Sequence, residues 1–222
     1  MRVWHYYCAF LMIALVGVYT PKSSHAVNGQ ERILMALMEG SMVVYIRHPH
    51  AIVGVDLDTS DLNDCSNQRR LTDQGRADSV MIGSAFKNRG IPVGEVYASP
   101  FCRTKNAAFI AFGYDKTIVE PGLRSSCKTT MESLHFTRSW LRQRLSTKPT
   151  DGKNVVLMGH NCNIRNVLPP DEFPDCARRP EMGDALVFQP KEGGYNLVGC
   201  VALPALKAWG GAANQMLSQS AQ

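Results

Sequence analysis

The chain has 222 residues, 45% hydrophobic and 19% charged, which is ordinary for a globular protein and fits one domain with a sizeable core. Its net charge of +5 is scattered. The nearest approaches to a basic patch, Arg69-Arg70 and Arg178-Arg179, are isolated pairs, which argues against a nucleic-acid or membrane-surface binder.

Arg2 is followed by an apolar stretch from Phe10 to Val18 and then by a polar stretch ending in Ser24-His25-Ala26. A positive start, a short apolar core and a small-x-small end predict a secretory signal over 1–26, cleaved after Ala26, and a periplasmic or secreted domain over 27–222. The apolar core is about half of the roughly 20 residues a bilayer span needs, so no stable membrane insertion is expected after cleavage. Cys8 precedes the apolar core, the wrong place for a lipidated cysteine. Cleavage would remove Arg2 and Lys22 and leave a net charge of +3.

Glu31 to Met38 reads as a short amphipathic helix, and Met42 to Ile46 as a strand buried on both faces. A loop rich in Asp, Asn and Ser runs from Asp56 to Arg70, and Thr72 then caps a helix that reaches Asn88. The second strand is Val93 to Ala98, followed by a helix to Phe112 and a short strand over Thr117 to Val119. Helix is predicted for Thr130 to Leu145 and strand for Asn154 to Met158, with a further helix starting at Asn161. Ala185 to Phe188 and Tyr195 to Val201 suggest a hairpin turned by Gly193-Gly194. Strands alternating with helices predict a three-layer α/β/α sandwich around a mostly parallel sheet with an antiparallel edge hairpin.

Six cysteines remain after cleavage, an even number that an oxidising compartment would pair. They allow 15 pairings, of which Cys102–Cys127 is the first taken. No close C-x-x-C or His/Cys pair suggests a metal site, and no cysteine has an arginine six residues on, which excludes a Cys-x5-Arg nucleophile.

Three polar clusters lie just past predicted strand ends: Arg47-His48-Pro49, Ser99-Pro-Phe-Cys-Arg103-Thr104, and Gly159-His160-Asn161. Open α/β sheets bind ligands at the carboxyl ends of their strands, and three unconnected strands delivering Arg or His to that edge are hard to get by chance. Together with Leu71-Thr72-Asp73-Gln74-Gly75, these motifs resemble the histidine phosphatase superfamily, in its phosphoglycerate-mutase-like branch, from about Val43 to Val201.

The resemblance implies a phosphomonoester hydrolase with His48 as the nucleophile of a phosphohistidine intermediate. Arg47 and Arg103 would clamp phosphoryl oxygens, His160 would be a further donor, and a backbone N–H near Asn161 would join them. Two arginines would stand in for the usual metal, so neither metal nor cofactor is expected. The partner would be a small phosphorylated substrate, an envelope phosphosugar among the options. His50, His135, Arg69 and Arg70 fit no motif, and a solvated surface is the reading for the two arginines. Adjacent residues at a helix start point apart, so Cys162 is not read as a partner of His160.

Two departures stand out. Pro49 replaces the glycine that usually follows the nucleophile, which removes a backbone donor and stiffens the turn. The acid expected just after Leu123-Arg124 is missing, and Asn161 stands where another branch has Asp. Glu120 is the first candidate for the general acid and Asp184 the alternative. A sugar-phosphate mutase is a rival, but the chain has little spare length for a lid over the pocket. A non-catalytic phosphate binder is the rival from another class.

Overall fold

The computed structural model describes residues 28–57, 59–125, 127 and 129–219, with side chains up to 211. The signal segment read over 1–26 lies outside the described residues. After α1 (Gly29–Glu39), strand β1 (Val43–Arg47) leads to α2 (Asp73–Asn88), β2 (Val93–Ala98), α3 (Cys102–Phe112) and β3 (Thr117–Val119). A single turn at Pro121–Leu123 precedes α4 (Met131–Ser146) and β4 (Asn154–Gly159). Short helices α5 (Asn161–Arg165) and α6 (Asp175–Arg178), the hairpin β5 (Ala185–Lys191) and β6 (Gly194–Val201), and α7 (Leu203–Gln219) complete the chain.

The sheet order is β3-β2-β4-β1-β5-β6; the first four strands are parallel, and the hairpin joins antiparallel to β1. Period-2 alternation sorts the strand residues between two cores. Val44, Ile46, Val156 and Met158 pack with α1, α2, α3 and α7, while Val43, Tyr45, Val155 and Leu157 pack with α4, α5 and α6. Both faces are covered, which is why these strands read as unbroken apolar runs. The three-layer expectation holds. Helix α7 has no counterpart in the sequence reading; Leu203, Leu206 and Trp209 seat it on the first core.

The helix starts follow from capping. The Thr72 hydroxyl accepts from the Gly75 N–H (3.0 Å), and the Thr130 hydroxyl accepts from the Ser133 N–H (3.3 Å). Gly75 has a second role. A Cβ there would stand 1.9 Å from the His50 carbonyl oxygen, because the first turn of α2 lies directly on the 48–51 backbone. His50 in turn bonds Asp78 of α2 through Nδ1 (2.8 Å), and the buried Asp78 also takes Gln74 Nε2 and Lys207 of α7. Burial alone would raise the Asp78 carboxyl, but the bonds from Lys207, His50 and Gln74 outweigh it and hold it below its usual range.

The disulfides are Cys65–Cys102, Cys127–Cys162 and Cys176–Cys200, so the Cys102–Cys127 pairing is corrected. The loop after β1 folds back onto the start of α3, where Gln68 Oε1 accepts from the Cys102 N–H (2.9 Å), and this brings Cys65 to Cys102 instead. Cys127 is left for Cys162 on α5. Because Gly75 has no room for a side chain, Gly75→Ala is expected to lower unfolding free energy by about 2–3 kcal/mol in denaturant titration, the usual cost of overpacking. An unchanged midpoint would show that the α2 contact yields freely.

Candidate active site

The three motif strands are consecutive in the sheet, in the order β2-β4-β1, although a fourth separates them in sequence. Register places Arg47 beside Gly159 and Ala98 beside Met158. The N–H of His48 donates to the Gly159 carbonyl (3.0 Å) and that of Ser99 to the Met158 carbonyl (3.0 Å). The residues following each strand therefore leave the sheet side by side, one strand spacing of roughly 4.8 Å apart.

His48 is 4% exposed, and its protonation pattern follows from its partners. Nδ1 lies 2.9 Å from the Pro49 carbonyl oxygen, which can only accept, so Nδ1 carries the hydrogen. Nε2 is then the lone-pair nitrogen, and Arg103 Nε–H donates to it (3.3 Å). Proline at position 49 loses its N–H but keeps the carbonyl that sets this tautomer.

His160 meets His48 edge to face, with ring centroids 5.3 Å apart. Its Nε2 is engaged by the Ser99 hydroxyl (2.8 Å) and approached by that of Thr104 (3.5 Å), which leaves Nδ1 for a ligand. The first and last residues of the Ser-x-x-x-Arg-Thr motif thus hold the second histidine, while its arginine holds the first. The hydroxyl of Tyr45, fully buried, donates to the His160 carbonyl (2.7 Å). A Cβ at position 159 would lie 2.2 Å from that hydroxyl, so Gly159 is the residue that lets Tyr45 reach.

Burial, then the charge of Arg103, and then those of Arg47 and Arg69 push the His48 imidazole down from its ordinary value to about 3, outweighing the bond to the Pro49 carbonyl. His160 is lowered well below its ordinary value by burial first, then by His48, Arg103, Arg47 and Arg69. Both rings are neutral at working pH, amid three guanidinium groups.

Arg47 Nη1 donates to the Pro180 carbonyl (2.8 Å), and its buried Nε meets no protein acceptor among the described residues. Arg103 is 3% exposed; its Nη1 donates to Asp56 Oδ1 (2.8 Å) and its guanidinium lies 4.7 Å over the Phe101 ring. Arg69 donates Nε–H to the Ile52 carbonyl (2.6 Å) and its backbone N–H to Asp56 Oδ1 (2.8 Å). Gly54, Val55, Asp56, Arg69, Phe101 and Arg103 help line a cavity of about 260 Å³ at the mouth of this cluster.

The structure thus brings Arg47, His48, Arg103 and His160 together. Asn161 is turned to the disulfide, its Oδ1 against the sulfurs of Cys127 (3.7 Å) and Cys162 (3.4 Å). The acid candidates do not join. Glu120 Oε1 accepts from the Gly122 N–H (2.7 Å), and its carboxylate faces Tyr97 and Trp140 in a separate cavity. Asp184 is spent on the N–H groups of Glu181 and Leu203, each at 2.9 Å. His50 turns to Asp78 instead of the cavity, and His135 and Arg70 are exposed. Arg69 and Asp56 are the residues that sequence reasoning missed; a basic residue four beyond a loop cysteine, ahead of the Leu-Thr motif, was the available signal. Among the described residues no group of three His, Cys, Asp or Glu side chains is placed to hold a metal ion.

No family model and no curated protein matches the chain. Solved structures do. The protein histidine phosphatase SixA, complexed with tungstate, superposes with a TM-score of 0.53 at 18% identity over 74% of this chain and 99% of its own. The fold is that of the histidine phosphatases. A phosphoserine phosphatase variant from Entamoeba histolytica, in complex with phosphoserine, gives a TM-score of 0.52 at 15% identity over 74% of this chain and 98% of its own. The same organism's phosphoserine phosphatase, in complex with 3-phosphoglyceric acid, gives 0.51 at 14% identity over the same shares.

In this histidine phosphatase fold the neutral His48 links stability to acidity. Between an unfolded value near 6.5 and a folded value of about 3, only the unfolded chain takes the proton. The stability held by the neutral ring is therefore complete above about pH 6.5 and is lost as pH falls toward 3. His48→Asn is expected to flatten this fall in melting temperature; identical slopes in the two proteins would contradict it.

Proposed function

We propose that this chain is an exported phosphomonoester hydrolase that works through a phosphohistidine on His48. The observation that carries the reading is the unprotonated Nε2 of His48, buried and held by Arg103 amid two further guanidinium groups. The likeness in fold to SixA and to phosphoserine phosphatase supports it, as their names place phosphatase chemistry on this architecture. Three disulfides and the signal-like start support an oxidising, periplasmic or secreted location.

In the first step Nε2 attacks phosphorus, the N–P bond forms, and the bond to the ester oxygen breaks. Arg47, Arg103 and Arg69 neutralise the phosphoryl oxygens, with His160 as a further donor; positioning and charge neutralisation of this kind supply most of the rate in phosphoryl transfer. The leaving oxygen needs a proton, and Asp56 is the carboxylate at the pocket. Its Oδ1 accepts from Arg103 Nη1 and from the Arg69 N–H, each at 2.8 Å, and in its acid form it carries that proton beside an ester bound on Arg103. It then gives that proton to the leaving oxygen. In the second step water attacks phosphorus and passes its proton to Asp56, the N–P bond breaks, and phosphate leaves.

With an aryl phosphate and chelator present, His48→Ala is expected to abolish turnover by the mature protein. Asp56→Asn should lower the ratio of alkyl to aryl phosphate hydrolysis by about 10²-fold, the lower end for loss of a general acid, because only the alkoxide requires the proton. Turnover that persists in His48→Ala sinks the phosphohistidine. An unchanged alkyl-to-aryl ratio removes Asp56 from the proton's route.

A further inference from the structure

The backbone that carries Asp56 into the pocket also carries an apolar lip. Ile52 is 47% exposed, Val53 92%, Val55 67% and Leu57 79%, four apolar side chains within six residues. Single exposed apolar residues need no explanation, but a run of them is unusual on a folded surface. Nor is this run loosely tethered. The Ile52 N–H donates to the Arg70 carbonyl (2.9 Å) and the Leu57 N–H to the Asn67 carbonyl (2.8 Å). Arg69 ties the same stretch twice, through the Ile52 carbonyl and the Asp56 carboxylate. These tethers hold both ends of the segment and Asp56 to the fold, while its apolar side chains are exposed.

The lip is continuous with the cationic cavity. Val55 lines that cavity together with Phe101, Arg69 and Arg103, with Thr59 and Ser125 also in its wall. Val55 and Leu57 flank Asp56, which is 2.8 Å from Arg103 Nη1. Neighbouring Cα atoms are about 3.8 Å apart, so an ester whose phosphate sits on Arg103 has its organic part within reach of residues 55 and 57. Hydroxyl or charged groups laid against Val53, Val55 and Leu57 would find no side-chain hydrogen bond there. A hydrocarbon would cover these side chains.

Resting on the phosphatase reading above, we infer that the substrates are amphiphilic phosphomonoesters, whose phosphate binds Arg103 and Arg69 while an alkyl, acyl or aryl group lies on Val53, Val55 and Leu57. The contact covers one side of the chain, so each methylene gains about half the transfer free energy of full burial, or roughly twofold in affinity.

The experiment uses n-propyl, n-pentyl and n-octyl phosphate, all below their micelle-forming concentrations, together with glycerol 3-phosphate. The primary alkoxides leave equally well, so chain length alone varies. The value of kcat/KM is expected to rise about tenfold or more from propyl to octyl, with glycerol phosphate no better than propyl. In Val53→Ser/Val55→Ser/Leu57→Ser the slope with chain length is expected to flatten; the slope carries the reading, not the absolute rate. Calorimetric binding of the matching alkyl phosphonates reads the same slope without turnover, so an inactive protein still tests the lip. Absence of hydrolysis with a retained phosphonate slope would fail the phosphatase reading alone. A flat slope in the wild-type protein, or one that survives the triple substitution, overturns the inference. So does a rate gain seen only on addition of phosphatidylcholine vesicles, which would make the lip a membrane contact.

Discussion

One hydrogen bond decides what this pocket can do: the bond from His48 Nδ1 to the carbonyl of the next residue. It fixes the tautomer and leaves Nε2 with a lone pair, the form that the Arg103 Nε–H donor on Nε2 also requires. Burial and three guanidinium groups then make protonation of that nitrogen unfavourable. The same positive charges that would hold a phosphate also keep the His48 ring neutral. In the proposed reaction, recruiting the anion and arming the nucleophile would be one electrostatic arrangement.

The rest of the fold keeps that arrangement in place. The sheet order sets the three motif strands side by side, and Tyr45 ties β1 to the His160 backbone across them. Two of the three disulfides staple pocket loops at the motif residues. Cys65–Cys102 pins the loop after β1 next to Arg103, and Cys127–Cys162 pins the segment after the Pro121–Leu123 turn two residues beyond His160. Buried Gln68 and Asn163 reinforce both joints: Gln68 donates to the Leu62 and Asp64 carbonyls of its own loop and accepts from the Cys102 N–H, and Asn163 donates to the Leu123 and Arg124 carbonyls. Loops are ordinarily the least ordered parts of an α/β protein. Here covalent links hold them, which suits a site whose partners come from four separate stretches of chain.

The fold and the four central side chains were legible in the sequence because their signals are local. Val43 to Ile46 and Val155 to Met158 advertise strands covered on both faces, and Arg47, His48, Arg103 and His160 each follow or adjoin a strand end. What escaped notice depends on long-range return of the chain. Asp56 and Arg69 sit in a loop without periodicity, and only its folding back on α3 brings them to the pocket. Glu120 looked acidic and well placed, yet the turn at Pro121–Leu123 claims its carboxylate as a cap. Asp184 is likewise absorbed by backbone N–H groups. Cysteine pairing depends on the same fold-back, since Cys102 cannot be matched to Cys65 without knowing that Gln68 lies against it. Helix α7 was missed because its first turns are short of charged residues and carry a proline, although Leu203, Leu206 and Trp209 keep helical spacing.

The most direct measurement is chemical trapping of the intermediate. The protein is mixed with a phosphorus-labelled aryl phosphate, quenched within its first turnovers, and mapped by peptide. Label is expected on the peptide bearing His48, stable in base and lost in acid as an N–P bond is. Label that resists acid, or that maps to another residue, would contradict a phosphohistidine on His48.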